Sequence, residues 1–156
     1  MEQIIREAEI KDIRQCVTLT DKLVKFEENL CKAHILIDNP DERHNGIVAM
    51  IGEALVNPDS RVLIVQKSGR IIALFIASII NKPTVFKHNR ICNVWLGISQ
   101  ENCPIEKVLS EFQEWGKEKG CNALSCHVLN GNKKVQRFCE NGYNANKIFN
   151  VYEKSI

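Results

Sequence analysis

The sequence reads as a single α/β domain spanning residues 1–156, with a mixed central sheet flanked by helices on both faces. Three observations lead there. Two apolar runs, 62–65 and 71–80, flank Lys67-Ser68-Gly69-Arg70, a hairpin signal, and their near-continuous apolarity requires cover on both faces. Before them, two stretches repeat apolar residues at helical spacing. After them, an apolar strand, an amphipathic stretch and a second apolar strand form a βαβ unit, whose two strands run parallel. One domain is enough for 156 residues, a length at which about two thirds of the unfolded surface can be buried.

Each element follows from local chemistry. Residues 4–7 form a short strand, and Asp12 opens a helix whose buried face is Ile13, Cys16, Val17, Thr20, Leu23, Val24 and Leu30. Asn39-Pro40-Asp41 is a turn, and Ile47, Val48, Ile51 and Leu55 mark a second helix of about three turns. It stops at Asn57-Pro58-Asp59. The hairpin follows, then a polar loop over 81–89 holding Pro83, then a buried strand over 91–98. Val108, Leu109, Phe112 and Trp115 define a third helix, ended by Gly116 or Gly120, and a strand runs over 123–129. Asn130-Gly131-Asn132 is a turn, 133–140 a short helix stopped by Asn141-Gly142, and 148–152 the last strand.

Composition narrows the class. With 44% hydrophobic and 26% charged residues, the chain has the balance of a globular protein. A net charge of +2, with cations scattered among nearly as many anions, forms no phosphate-tracking stripe, so no nucleic-acid partner is expected. The first residues lack the pattern of a secretory signal and no apolar run approaches the roughly 20 residues of a membrane helix. A cytoplasmic protein with no membrane partner is expected. The seven cysteines are odd in number and none are spaced Cys-x-x-Cys, so no metal is expected and most should be small buried hydrophobes. Cys126 and His127 are neighbours in a strand, point to opposite faces and cannot easily share an ion.

Three segments resemble the GNAT N-acetyltransferase superfamily. Ile4-Ile5-Arg6-Glu7-Ala8-Glu9-Ile10-Lys11-Asp12-Ile13 is similar to that family's opening strand and the start of its first helix. Ile91-Cys92-Asn93-Val94-Trp95-Leu96 is similar to its fourth strand. Residues 132–143, from Asn132-Lys133-Lys134 through Phe138-Cys139-Glu140 to Asn141-Gly142-Tyr143, resemble its closing helix motif with one residue fewer. The resemblance spans nearly the whole chain. It implies the GNAT fold, with acetyl-CoA as cosubstrate lying between splayed fourth and fifth strands. Backbone N–H groups of Leu96, Gly97 and Ile98 would meet the thioester carbonyl, and Gly97 would permit a bulge or a close backbone approach.

The family's glycine-rich coenzyme loop is the part this chain departs from. Aligned without gaps, the signature falls on Glu101-Asn102-Cys103-Pro104-Ile105-Glu106, where every signature position differs. Such a loop works by turning backbone N–H groups and a helix N-terminus toward a diphosphate. Glu101 sets an anion there, Pro104 removes a donor, and Glu106 adds a carboxylate able to satisfy the helix end itself. At about 4 Å, two like charges near a surface repel by roughly 4 kcal/mol, enough to abolish useful binding. Starting the loop at Ser99-Gln100 instead places Gln100 at the first signature position, and Cys103 and Ile105 then replace the glycines.

The catalytic candidates are Cys139, Glu101 and His88. Cys139 stands where the resemblance implies a tyrosine that protonates the departing thiolate, and a thiol can donate a proton too. Its alternative reading is a buried small residue, and Tyr143 and Tyr152 are the other phenols. Glu101 and His88 flank the fourth strand as general-base candidates, or are solvated loop residues. Asn132 matches an asparagine near the pantetheine arm, or is a plain N-cap. Glu27, Glu28, Asp38, Asp41 and Glu42 would attract a cationic amine, or form a wetted face. Two functions stand side by side: acetyl transfer to a primary amine of a small-molecule or protein acceptor, and a GNAT-fold binding module without catalysis. A homodimer is left open.

Overall fold

The computed structural model describes residues 2–30, 39–127 and 133–142. The expected turn at 130–132, the expected strand over 148–152, Tyr143 and Tyr152 lie outside them, as do the side chains of Leu23, Val24 and Leu30. Five strands, β1 (Gln3–Glu7), β2 (Ser60–Lys67), β3 (Arg70–Asn81), β4 (Arg90–Ser99) and β5 (Ala123–Cys126), form one sheet in sequence order. The first three pairings are antiparallel and β4–β5 is parallel, so the sheet is mixed, as expected. The helices are α1 (Ile13–Leu30), α2 (Pro40–Val56), α3 (Ile105–Glu118) and α4 (Lys133–Arg137).

Period-two alternation divides the core into two layers. Val62 and Ile64 of β2, with Leu74, Ile76 and Ile98, pack under Cys16, Val17 and Leu19 of α1 and Ile47 and Ile51 of α2. Leu63 and Val65, one residue out of phase, join Ile72, Phe75, Cys92 and Val94 beneath Val108, Leu109, Phe112 and Trp115 of α3. The continuous apolarity of the hairpin strands thus reflects burial from both sides.

Helix α2 is longer than its apolar spacing indicates, 17 residues rather than about three turns. Its start is set by a cap: the Asn39 side chain accepts from the amides of Asp41 and Glu42, with Pro40 in the first turn. That turn is polar and leaves no trace in the apolar periodicity. The β2–β3 turn has positive φ at both Ser68 (50°) and Gly69 (77°), the conformation whose twist suits a two-residue hairpin. The last helix also differs: α4 gives way at Phe138 to a π-helical turn reaching Gly142, instead of continuing as α-helix to 140.

Gly120, not Gly116, ends α3. At φ 75° its amide donates to the Lys117 carbonyl while that of Cys121 donates to Gly116, two bonds that cap the helix C-terminus. Gly116 is buried within the helix, where a Cβ would lie 2.9 Å from Cys92 Cβ. Alanine normally favours a helix interior over glycine by about 1 kcal/mol. Here the sign should reverse: Gly116→Ala is expected to destabilise the fold by about 2 kcal/mol through overpacking. A melt showing Gly116→Ala as stable as wild type would contradict this close approach.

Candidate functional site

Strand β4 pairs in parallel with β5 over its first half. Ile91, Cys92, Asn93 and Val94 pair with Ala123, Leu124, Ser125 and Cys126, and the His127 amide makes a final bond to the Val94 carbonyl at 2.9 Å. β4 then continues to Ser99 against β3, and the Gln100 amide donates to the Ile72 carbonyl at 2.9 Å. Among the described residues the other edge of 95–99 is open, with no strand paired to it.

A β-bulge decides which amides face that open edge. Val94 pairs with Ala77 and Leu96 with Ile76, leaving Trp95 as the extra residue. Before the bulge the Val94 carbonyl is turned to β5; after it the Gln100 amide is turned to β3. Backbone groups alternate along a strand, so successive amides face opposite sides. Of the three expected donors, Leu96 and Ile98 turn their amides to β3, and Gly97 turns its amide to the open edge, as Ser99 does. The bulge is at Trp95 rather than Gly97. Gly97 serves close approach instead, since a Cβ there would meet the Phe75 ring at 3.1 Å.

Side chains that the sequence reading did not single out hold this junction. Trp95 Nε1 donates to Ser78 Oγ at 3.0 Å, and Ser78 is 2.8 Å from Ser60 Oγ, which fixes the bulged residue to β3 and β2. Ser125 Oγ donates to Asn93 Oδ1 at 2.7 Å, a half-buried polar link one residue before the last described β4–β5 pair. Asn93 in an apolar strand was a visible signal, but its partner is defined only by the β4–β5 register.

The loop after β4 is held from several directions. Ser99 Oγ donates to the Glu101 carbonyl, and Gln3 Nε2 donates to the Asn102 carbonyl at 2.9 Å. The Glu101 carboxylate receives Lys67 Nζ at 2.7 Å and the Arg70 guanidinium, both from the β2–β3 hairpin. The Lys67 hydrogen bond first, then the charges of Lys67 and Arg70, hold this carboxyl below its usual range against the opposing effect of desolvation. Glu101 is thus not the lone anion that its sequence position implied, because two cations face one carboxylate. Asn102 is exposed, and Cys103 and Ile105 rest half-buried on the α3-side core.

Helix α3 starts with Pro104 as N-cap, which supplies no side-chain cap. Ile105 donates to the Cys103 carbonyl at 2.9 Å and Val108 to Pro104 at 3.1 Å. The amides of Glu106 and Lys107 are among those that helix geometry leaves without an intrahelical acceptor. Both of these residues are exposed.

Cys139 sits half-buried in the π-helical turn. Burial first, then Glu140, pushes its thiol up, so it is protonated at neutral pH. Burial pushes the Cys126 thiol up to about 12, with Cys139 and Cys92 adding to it. Burial likewise raises Cys92 to about 12 and Cys16 to about 11. Cys16 and Cys92 are fully packed in the two core layers. Among the described residues no group of three or more His, Cys, Asp or Glu is placed to hold a metal ion, and no helix is long and apolar enough to cross a membrane.

His88 is not at this site. It is exposed in the β3–β4 loop, before the first residue of β4, whereas Gly97 and Ser99 are at the far end, roughly 30 Å of extended strand away. Flanking a strand in sequence means standing at either of two opposite ends. Asn132 and Asp38, and the side chains of Glu27 and Glu28, lie outside the described residues. Asp41 and Glu42 are in the first turn of α2, with their amides on Asn39.

No family model matches the chain, and no curated relative does. Solved structures do match. The aminoglycoside N-acetyltransferase AAC(6')-Iy, in complex with the bisubstrate analogue CoA-S-monomethyl-acetylneamine, is 16% identical, with 100% of each chain covered and a TM-score of 0.73. A predicted acetyltransferase of Clostridium acetobutylicum, determined with acetyl-CoA, is 15% identical over 99% of this chain and 96% of that one, with a TM-score of 0.73. A tetramutant of the BH1408 protein of Bacillus halodurans is 16% identical over 98% and 99%, with a TM-score of 0.78. At these identities the likeness is one of fold. The chain has the acyl-CoA N-acyltransferase fold that its motifs resemble.

Proposed function

We propose that this chain is a GNAT-family N-acetyltransferase that moves an acetyl group from acetyl-CoA to a primary amine of a small-molecule or protein acceptor, with activity weakened by its altered loop. The carrying observation is the bulge at Trp95, which turns the Gly97 amide away from β3 to the edge of β4 that lies beyond its described pairing with β5. A thioester carbonyl laid against that edge would accept from Gly97 N–H, a donor aimed where negative charge develops as the amine attacks. Collapse of the tetrahedral intermediate breaks the C–S bond and releases the coenzyme thiolate; the attacking amine gives its proton to solvent, and Cys139, whose thiol is held protonated by burial, is the candidate donor to the thiolate and regains its proton from solvent. Glu101 is a poor general base, because its carboxylate is engaged by Lys67 and Arg70. The structures that share the fold and carry CoA or acetyl-CoA support this reading.

A second reading, a catalytically inactive module that no longer binds coenzyme A, is favoured by one observation. The loop from Gln100 to Pro104 holds no glycine, and Pro104 has no N–H to offer. Isothermal titration of the chain with acetyl-CoA and CoA separates the two. The enzyme reading expects dissociation constants below about 1 mM, and weaker binding of both would leave only the module.

A further inference from the structure

The β2–β3 hairpin and the loop after β4 converge on one carboxylate. Lys67 ends β2 and Arg70 begins β3, and the two-residue turn sets their side chains side by side at the end of the sheet where β4 ends. Both reach Glu101, from 34 and 31 residues away in sequence. The Glu101 backbone is anchored independently, by Ser99 Oγ on its own carbonyl and Gln3 Nε2 on that of Asn102.

Two features make this more than a surface ion pair. The charges do not cancel, since two cations meet one carboxylate, and the cluster stays open to solvent, with the Arg70 side chain 64% exposed and that of Glu101 30%. Exposed pairs are weakly held and exchange readily for a stronger anion. A phosphate group carries more charge than a carboxylate and presents several acceptor oxygens to a guanidinium and an ammonium. The cluster also adjoins the loop whose glycines and one amide are missing, so the hairpin supplies positive charge where the backbone supplies less.

We infer that Lys67 and Arg70 are the cations that receive phosphate groups at this end of the sheet, with Glu101 as their internal counter-anion. Glu101 holds the pair in place when no ligand is present and yields it when phosphate arrives. The inference rests on the acyl-CoA reading for the identity of the phosphate carrier only. Glu101 is a positioning residue, and its removal should strengthen phosphate binding rather than weaken it.

The test is isothermal titration of the full chain with CoA and, separately, inorganic pyrophosphate, at low and high salt. Glu101→Gln should bind both probes about tenfold more tightly than wild type, and the double variant Lys67→Met with Arg70→Gln about tenfold more weakly. Lys67→Arg, which keeps the charge, should bind like wild type, and all affinities should fall with salt. Glu101→Gln binding no tighter than wild type, or the double variant binding equally well, overturns the inference. If CoA binds all variants alike, the inference falls and the acetyltransferase reading stands. If only pyrophosphate binds and follows the expected order, the phosphate site stands and that reading falls. Binding of neither probe overturns both.

Discussion

Gly97→Pro is expected to lower the rate of acetyl transfer by about 10²–10³-fold relative to Gly97→Ala. Both substitutions add a Cβ, which must settle against the Phe75 ring at 3.1 and 3.3 Å, so alanine reports the steric effect alone. Proline also removes the amide that the bulge at Trp95 turns toward the open edge. That amide has no ladder partner among the described residues, so the β3–β4 pairing keeps its bonds. Leu96 is already in a strand, the conformation preferred before proline. The measurement is kcat with acetyl-CoA and a panel of primary amines, beside thermal melts of both variants. Equal losses in the two variants would show that the Gly97 amide is not the donor to the carbonyl.

The second large effect concerns stability. Asp12→Asn is expected to destabilise the fold by about 3 kcal/mol, a Tm lowered by roughly 6–12 °C. Asp12 is 4% exposed and takes a two-pronged contact from Arg6, at 2.7 and 2.9 Å, together with the Glu9 amide at 2.8 Å. These bonds tie β1 to the 3-10 turn Ile10–Asp12 that leads into α1. Asparagine keeps the shape and leaves the Arg6 charge partly buried without its counter-charge. The Arg6 side chain is 27% exposed, which puts the cost at the lower end of the range for broken buried pairs.

The same pair sets a pH dependence. The hydrogen bonds from Arg6 hold the Asp12 carboxyl below its usual value, against burial, which raises it. A carboxyl depressed in the folded state contributes stability above its unfolded pKa, about 3.9, and loses it as pH falls through the folded value. Denaturant midpoints should therefore drop below about pH 4 in wild type and change less there in Asp12→Asn. Parallel pH profiles for the two proteins would rule out Asp12 as the source.

Much of the architecture was legible because its signals are local. Two apolar runs flanking Ser68-Gly69 are a local hairpin signal, and the structure closes that turn with positive φ at both positions. The parallel β4–β5 pair follows from a strand, a helix and a strand in succession. The candidate site was legible only in part. Glycine marks a position that tolerates special geometry without saying which geometry, so Gly97 was a bulge candidate and Gly116 a stop candidate. Contacts with Phe75 and Cys92 assigned both to close packing.

The order of elements, the two-sided burial of the hairpin and the resemblance of its motifs were properties of the chain read residue by residue, because turns, periodicities and caps act over a few neighbours. Which amides face the open edge depended on a bulge measured against β3, and the charge of the loop depended on a hairpin more than 30 residues away. Backbone direction and electrostatic environment are relations between segments, and no local pattern encodes them until the sheet brings those segments together.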